Sequence, residues 1–222
     1  MRQNNIEGKE SLSIKSQQHP IVVFLAKFIS VIFHPLFIPL YVAGYMLFLH
    51  PLLFAGRDTV EKIPVMASVF VNLCLLPALS VFLLWRLKFT SSIYLNTQKE
   101  RIIPLAAIML FSFWCWYVYK NLNAPQPFIN FLLGVFFTVI AAWLANIYFK
   151  ISLHALAAGG LLFAVINTEF ITQSGNSLFM AVAILIAGLV MTSRLIASDH
   201  KQPEVYIGFF GGIICQWLAT VI

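Results

Sequence analysis

Seven stretches of this chain are apolar over about the length a bilayer demands, and little polar sequence separates them. They cover residues 21–49, 63–85, 102–119, 128–149, 155–171, 178–192 and 205–222. A helix that crosses the hydrocarbon needs about 20 apolar residues. Only structures that satisfy every backbone N–H and C=O internally survive there. Composition agrees: 60% of the residues are hydrophobic and 10% charged, with a mean hydropathy of +0.88, where soluble domains carry about 25% charge. The expected fold is all-α, a polytopic transmembrane bundle of six or seven helices. It forms one domain over residues 21–222, behind a polar tail at residues 1–20. Pro35 and Pro39 predict a kink or a re-entrant piece in the first stretch, which is also overlong. The sixth stretch is short and is expected to borrow residues from its flanks. The tail is polar and mixed in charge, and no small-residue cleavage site follows the first apolar run, so no cleavable signal peptide is expected.

The net charge of +6 would suggest nucleic acid in a soluble protein; on this background it reports basic loops at a membrane surface, and no nucleic-acid partner is expected. If all seven stretches cross, one face collects Arg2, Lys9, Lys15, Arg86, Lys88, Lys99, Arg101, Lys150, Arg194 and Lys201. The other face collects Arg57, Lys62 and Lys120, and Lys27 lies inside the first stretch. The positive-inside rule makes the richer face cytoplasmic, and a multi-pass protein of a bacterial inner membrane is the expected setting. Cys74, Cys115 and Cys215 are widely spaced within apolar stretches, which suits neither a zinc site nor a disulfide framework.

Three polar clusters interrupt the pattern where helices should begin. Lys99, Glu100, Arg101 and Pro104 lead into the third stretch, and Lys150, Ser152 and His154 into the fifth. Ser193, Arg194, His200 and Glu204 lead into the seventh. Two crossings separate each cluster from the next, so all three emerge on one face. Helix starts offer free N–H groups and the positive end of the dipole, which favour anions. Arg binds phosphate through a planar fork, and His can attack or carry protons. A carboxylate at i+4, as Glu204 is to His200, can hold the ring. Asp199, directly beside His200, faces elsewhere on a helix and is the poorer partner.

The last cluster, Ser193-Arg194, five residues, His200, three residues, Glu204, resembles the final motif of the type 2 phosphatidic acid phosphatase superfamily, which includes the vanadium haloperoxidases. That motif ends in Asp, where this chain has Glu204. The family's middle motif, Pro-Ser-Gly-His, is echoed by Ile151-Ser152-Leu153-His154, which keeps Ser and His. Its first motif, Lys, six residues, Arg-Pro, has only a distorted counterpart in Lys99, Arg101 and Pro104. The resemblance covers about residues 95–215. It implies a hydrolase acting on phosphorylated lipids among membrane lipids, with neither metal nor other cofactor. On that resemblance His200 is the nucleophile that forms a phospho-histidine, Glu204 orients it, and His154 protonates the leaving alcohol. Arg194, Ser152, Ser193, Lys99 and Arg101 hold the phosphoryl oxygens.

Plainer readings accompany these. Lys99, Arg101 and Lys150 also fit snorkelling interfacial cations, and Glu204 fits a first-turn carboxylate that suits the helix dipole. His34-Pro35 reads as a kink at the interface, and Gly159-Gly160 and Gly211-Gly212 read as close helix contacts. Glu169 has no evident partner in the sequence. The alternative function is a lipid-phosphate-binding membrane protein without turnover, suggested by the missing first motif and by Leu153 where the family has Gly. A transporter is disfavoured, since few ionisable groups lie mid-membrane.

Overall fold

The computed structural model describes residues 19–90, 92, 97–148, 151–174, 176–197 and 200–222. Residues 1–18 of the polar tail, Lys150 and Asp199 lie outside the described residues. Among the described residues there are eight helices: α1 (Pro20–Ile32), α2 (Ile38–Leu49), α3 (Thr59–Arg86), α4 (Gln98–Asn121), α5 (Gln126–Tyr148), α6 (Leu153–Thr172), α7 (Ser177–Ala197) and α8 (Gln202–Val221). No strand occurs among the described residues. The six helices α3 to α8 are long and apolar enough to cross a bilayer. The chain is therefore an all-α, multi-pass membrane protein. Large apolar side chains such as Ile184, Leu185, Phe210 and Ile214 point outward, more than half exposed, as a lipid-facing surface requires.

The first apolar stretch is two helices. His34-Pro35-Leu36-Phe37 separates α1 from α2, because Pro35 has no N–H to continue the ladder and restricts the residue before it. The Tyr41 hydroxyl donates to the orphaned Ile32 carbonyl at 2.8 Å and fixes the break. His34 lies beside His154 at the start of α6, and His50 is hydrogen-bonded to Thr172 at its end. The chain from His34 to His50 thus traverses the same depth as α6. Helix α1 is an extra element packed along α7. The sixth stretch, short by composition, extends at both ends into a helix of 21 residues.

Proline also shapes α3. Pro77 removes a backbone donor and crowds the carbonyl four residues earlier, and the turn at Val71–Leu75 just before it is widened into a π-helix. Helix α2 ends in a similar π turn at Tyr45–Leu49.

The main core joins α2 to α7 through Val42, Met46, Val69, Cys115, Phe128, Leu161 and Ala183. A smaller cluster, Leu105, Ala142, Ile151 and Leu156, sits under the face where α4, α6 and α8 begin. Within lipid there is little hydrophobic drive between helices, so close backbone packing has to hold them. Helices α6 and α8 achieve it with glycine. A Cβ on Gly159 would stand 1.9 Å from the Phe209 carbonyl oxygen, and one on Gly212 would stand 1.9 Å from that of Leu156. This contact fixes how near the starts of α6 and α8 come to each other. Cys74, Cys115 and Cys215 are all buried and free.

Candidate functional site

Ser30 is the node of the polar cluster. It lies on the buried stripe of α1 with Ala26, and its hydroxyl oxygen is 3.2 Å from that of Ser193. The Ser193 hydroxyl donates to the Val190 carbonyl at 2.7 Å, so in the pair Ser30 donates and Ser193 accepts. The remaining lone pairs of Ser30 Oγ face Arg194 Nη1, which donates at 3.4 Å. The backbone carbonyl of Ser30 lies 3.0 Å from His154 Nε2. A carbonyl only accepts, so Nε2 of that ring carries a proton.

His34, one turn beyond Ser30, packs edge-on against His154 with ring centroids 5.3 Å apart. Its Nδ1 accepts from the Leu36 amide at 3.3 Å, which leaves its neutral form protonated at Nε2. Burial, and then the nearby Arg194 charge, hold its pKa below the ordinary 6.5.

On the start of α8, His200 Nδ1 lies 2.7 Å from Glu204 Oε2. The ring is 9% exposed and the carboxylate 23%. A carboxylate accepts, so Nδ1 carries the proton and the neutral ring keeps its lone pair at Nε2. The Glu204 carbonyl accepts from the Ser152 amide at 3.3 Å. That bond ties the partner of His200 to the peptide just ahead of His154. Arg194, His34 and His200 all lie within electrostatic reach of His154.

His154, Ser193, Arg194, His200 and Glu204 are thus gathered at one face. Ser152 is there too, but in a different posture: fully buried, with its hydroxyl accepting from the Ala155 amide at 3.4 Å as the N-cap of α6. Leu153 is turned into the smaller apolar cluster. Lys99 is exposed and Arg101 half-buried on the first turn of α4. A capping box starts that helix: the Glu100 amide donates to Thr97 Oγ1 at 3.3 Å and the Thr97 amide to Glu100 Oε2 at 3.2 Å. Asn146 of α5 donates to the Gln98 carbonyl at 2.8 Å, and Leu105, one turn past Arg101, packs with Ile151 and Leu156. The start of α4 therefore shares the face, at its periphery.

Ser30 and His34 are the additions. By sequence His34 belongs to a kink and Ser30 carries no motif. Their one sign is spacing, since the small or polar Ala26, Ser30 and His34 recur every four residues along a mostly apolar stretch. Glu169 also needs correction. It has partners at the opposite face, where the Tyr45 and Ser174 hydroxyls donate to its two oxygens.

Chemically, the cluster offers a guanidinium, a histidine backed by a carboxylate, a second histidine, and the N-terminal ends of α6 and α8. That set suits a phosphoryl group. Among the described residues, no three His, Cys, Asp or Glu side chains group as metal ligands.

Comparison of the chain with models of protein families, with curated proteins and with solved structures found no match. Fold and site together define a multi-pass helical membrane protein with a polar His/Arg/carboxylate cluster at one face.

Proposed function

We propose that this chain is a membrane-embedded phosphatase of lipid phosphates or lipid pyrophosphates, akin to the type 2 phosphatidic acid phosphatases, in the inner membrane of a bacterium. The observation that carries the reading is convergence. Arg194 and His154 meet at Ser30, and the His200–Glu204 pair is tied to the same α6 start.

In this mechanism the phosphoryl oxygens bind Arg194 and the opening amides of α6. His200 Nε2 attacks phosphorus, forming an N–P bond as the P–O bond to the lipid alcohol breaks. Glu204 holds Nδ1–H and stabilises the cation that develops on the ring. This step requires His154 as its cation, whose cost in a half-buried place beside Arg194 and His34 the negative charge of the bound phosphate must offset. The His154 Nε2–H stays on the Ser30 carbonyl, so Nδ1 is the nitrogen that gives a proton to the leaving alkoxide. Neutral His154 then takes a proton from water, the resulting hydroxide displaces His200 from phosphorus, and inorganic phosphate leaves. The lipid tail lies among the outward apolar side chains.

The test is phosphate release by purified protein from phosphatidic acid, a prenyl diphosphate and phosphatidylglycerol phosphate. His200→Ala and Arg194→Ala should each abolish it. Wild-type protein inert on all three would sink the reading.

A second reading, phosphate binding without turnover, draws on Ser152 and Leu153, which face inward where the family presents Ser and Gly to the phosphate. It predicts lipid-phosphate binding that depends on Arg194 and leaves the lipid intact.

A further inference from the structure

The opposite face holds a second polar cluster, built around a carboxylate. Glu169 lies in the last turn of α6 and is 3% exposed. One of its oxygens accepts from the Tyr45 hydroxyl and the other from that of Ser174. Among the described residues no cationic side chain pairs with it.

The neighbouring histidine does not supply the missing charge. His50 Nδ1 accepts from the amides of Leu52 and Leu53 at 3.3 and 3.2 Å. Its Nε2 donates to Thr172 Oγ1 at 3.0 Å, and that hydroxyl donates onward to the Thr168 carbonyl at 2.7 Å. Every ring nitrogen is engaged as in the neutral form. Burial also holds the ring below its ordinary pKa of 6.5, against the pull of Glu169.

Glu169 lines an open groove of about 220 Å³ together with Phe170, Gln173 and Met180. That volume has room for a compact organic group. A carboxylate buried without a cation is costly. The lining suits a cation with an apolar body: the Glu169 carboxylate for charge, beside the aromatic Phe170, the soft thioether of Met180 and the polar side chain of Gln173. A hard metal ion asks for six or more oxygen ligands, roughly; one carboxylate and one amide fall short. Phe170 is 72% exposed, so the groove is reachable from outside the bundle.

We propose that this groove binds a small substituted ammonium group, supplied by a free amine or by an amine-bearing lipid headgroup. It is independent of the His200 site, at the other end of α6.

The experiment titrates butylammonium and tetramethylammonium into full-length protein in detergent, read by calorimetry and by thermal shift, with K⁺ at matched ionic strength as control. Saturable binding is expected for wild type and at least tenfold weaker binding for Glu169→Gln, which keeps the shape, its amide oxygen accepting from one of the two hydroxyls and its NH2 donating to the other. Should Glu169→Gln fail to fold, Met180→Trp fills the groove without touching those hydrogen bonds and should abolish binding equally. Nanodiscs of phosphatidylcholine or of phosphatidylglycerol then separate the sources. Competition by the choline lipid assigns the headgroup, and equal binding in both assigns the free amine. No saturable binding by wild type, an equal response to K⁺, or full affinity in Glu169→Gln would overturn the proposal.

Discussion

His154 Nε2 lies 3.0 Å from the backbone carbonyl of Ser30, so a ring on the first turn of α6 is oriented by α1, outside the stretch that resembles the phosphatases. The same residue accepts from Arg194 through its hydroxyl. A helix that adds no membrane crossing of its own to the count thereby sets two of the groups in the site.

Ser30→Ala should separate those two roles. The carbonyl remains and His154 keeps its partner, while Arg194 loses an acceptor and Ser193 a donor. The loss of one hydrogen bond to a charged group is worth about 1.5 kcal/mol, or roughly a tenfold rise in KM, with kcat within about twofold. Steady-state phosphate release checks this. A fall in kcat at unchanged KM would contradict it.

His34 gives a pH dependence with a definite sign. Its folded pKa lies below 6.5 because burial, and then Arg194, disfavour the imidazolium; the ring also faces His154. The unfolded chain therefore binds the proton first as pH falls. The contribution is fully present above about 6.5 and is lost as pH drops from there toward the lower folded value. His50, also depressed by burial, acts in the same direction. The Tm of the wild type should fall between pH 7.5 and 5, and His34→Asn, whose amide oxygen can replace Nδ1, should flatten part of that fall. Equal slopes in the two proteins would contradict the assignment.

The glycine contact between α6 and α8 predicts a sharp contrast. Gly212→Ala puts a methyl group on the Leu156 carbonyl, and backbone has little room to yield; the expected cost is about 3 kcal/mol, with activity lost as the two helix starts separate. Gly188→Ala meets nothing within 4 Å and should be neutral or stabilise by about 1 kcal/mol through helix propensity. Thermal melts of the two variants in one detergent decide it.

Ser152 distinguishes a cap from a ligand. As the N-cap of α6, its replacement in Ser152→Ala should cost about 1 kcal/mol of stability, with KM changed less than about twofold. An unchanged Tm with a large rise in KM would return Ser152 to the phosphate.

Much of this architecture was legible because lipid imposes a simple rule on sequence. Long apolar runs can only be helices, and their parity put the starts of α4, α6 and α8 on one face. The i+4 spacing of His200 and Glu204 was readable for the same reason, since a helix places such residues on one side. What could not be read depends on contacts between distant segments. Ser30 meets Ser193 across 163 positions, and Tyr45 meets Glu169 across 124, with no local pattern to announce either. The division of the first stretch at His34-Pro35 was foreshadowed by its prolines. Its consequence, a histidine placed against His154, was not.

The central claim is that His200, held by Glu204, attacks phosphorus. Rapid-quench labelling with a ³²P-phosphorylated lipid tests it most directly. Wild-type protein should trap an acid-labile, base-stable phosphoryl label on His200, and His200→Ala should trap none. Label persisting in His200→Ala, or turnover by the wild type with no phospho-enzyme at any quench time, would contradict the account.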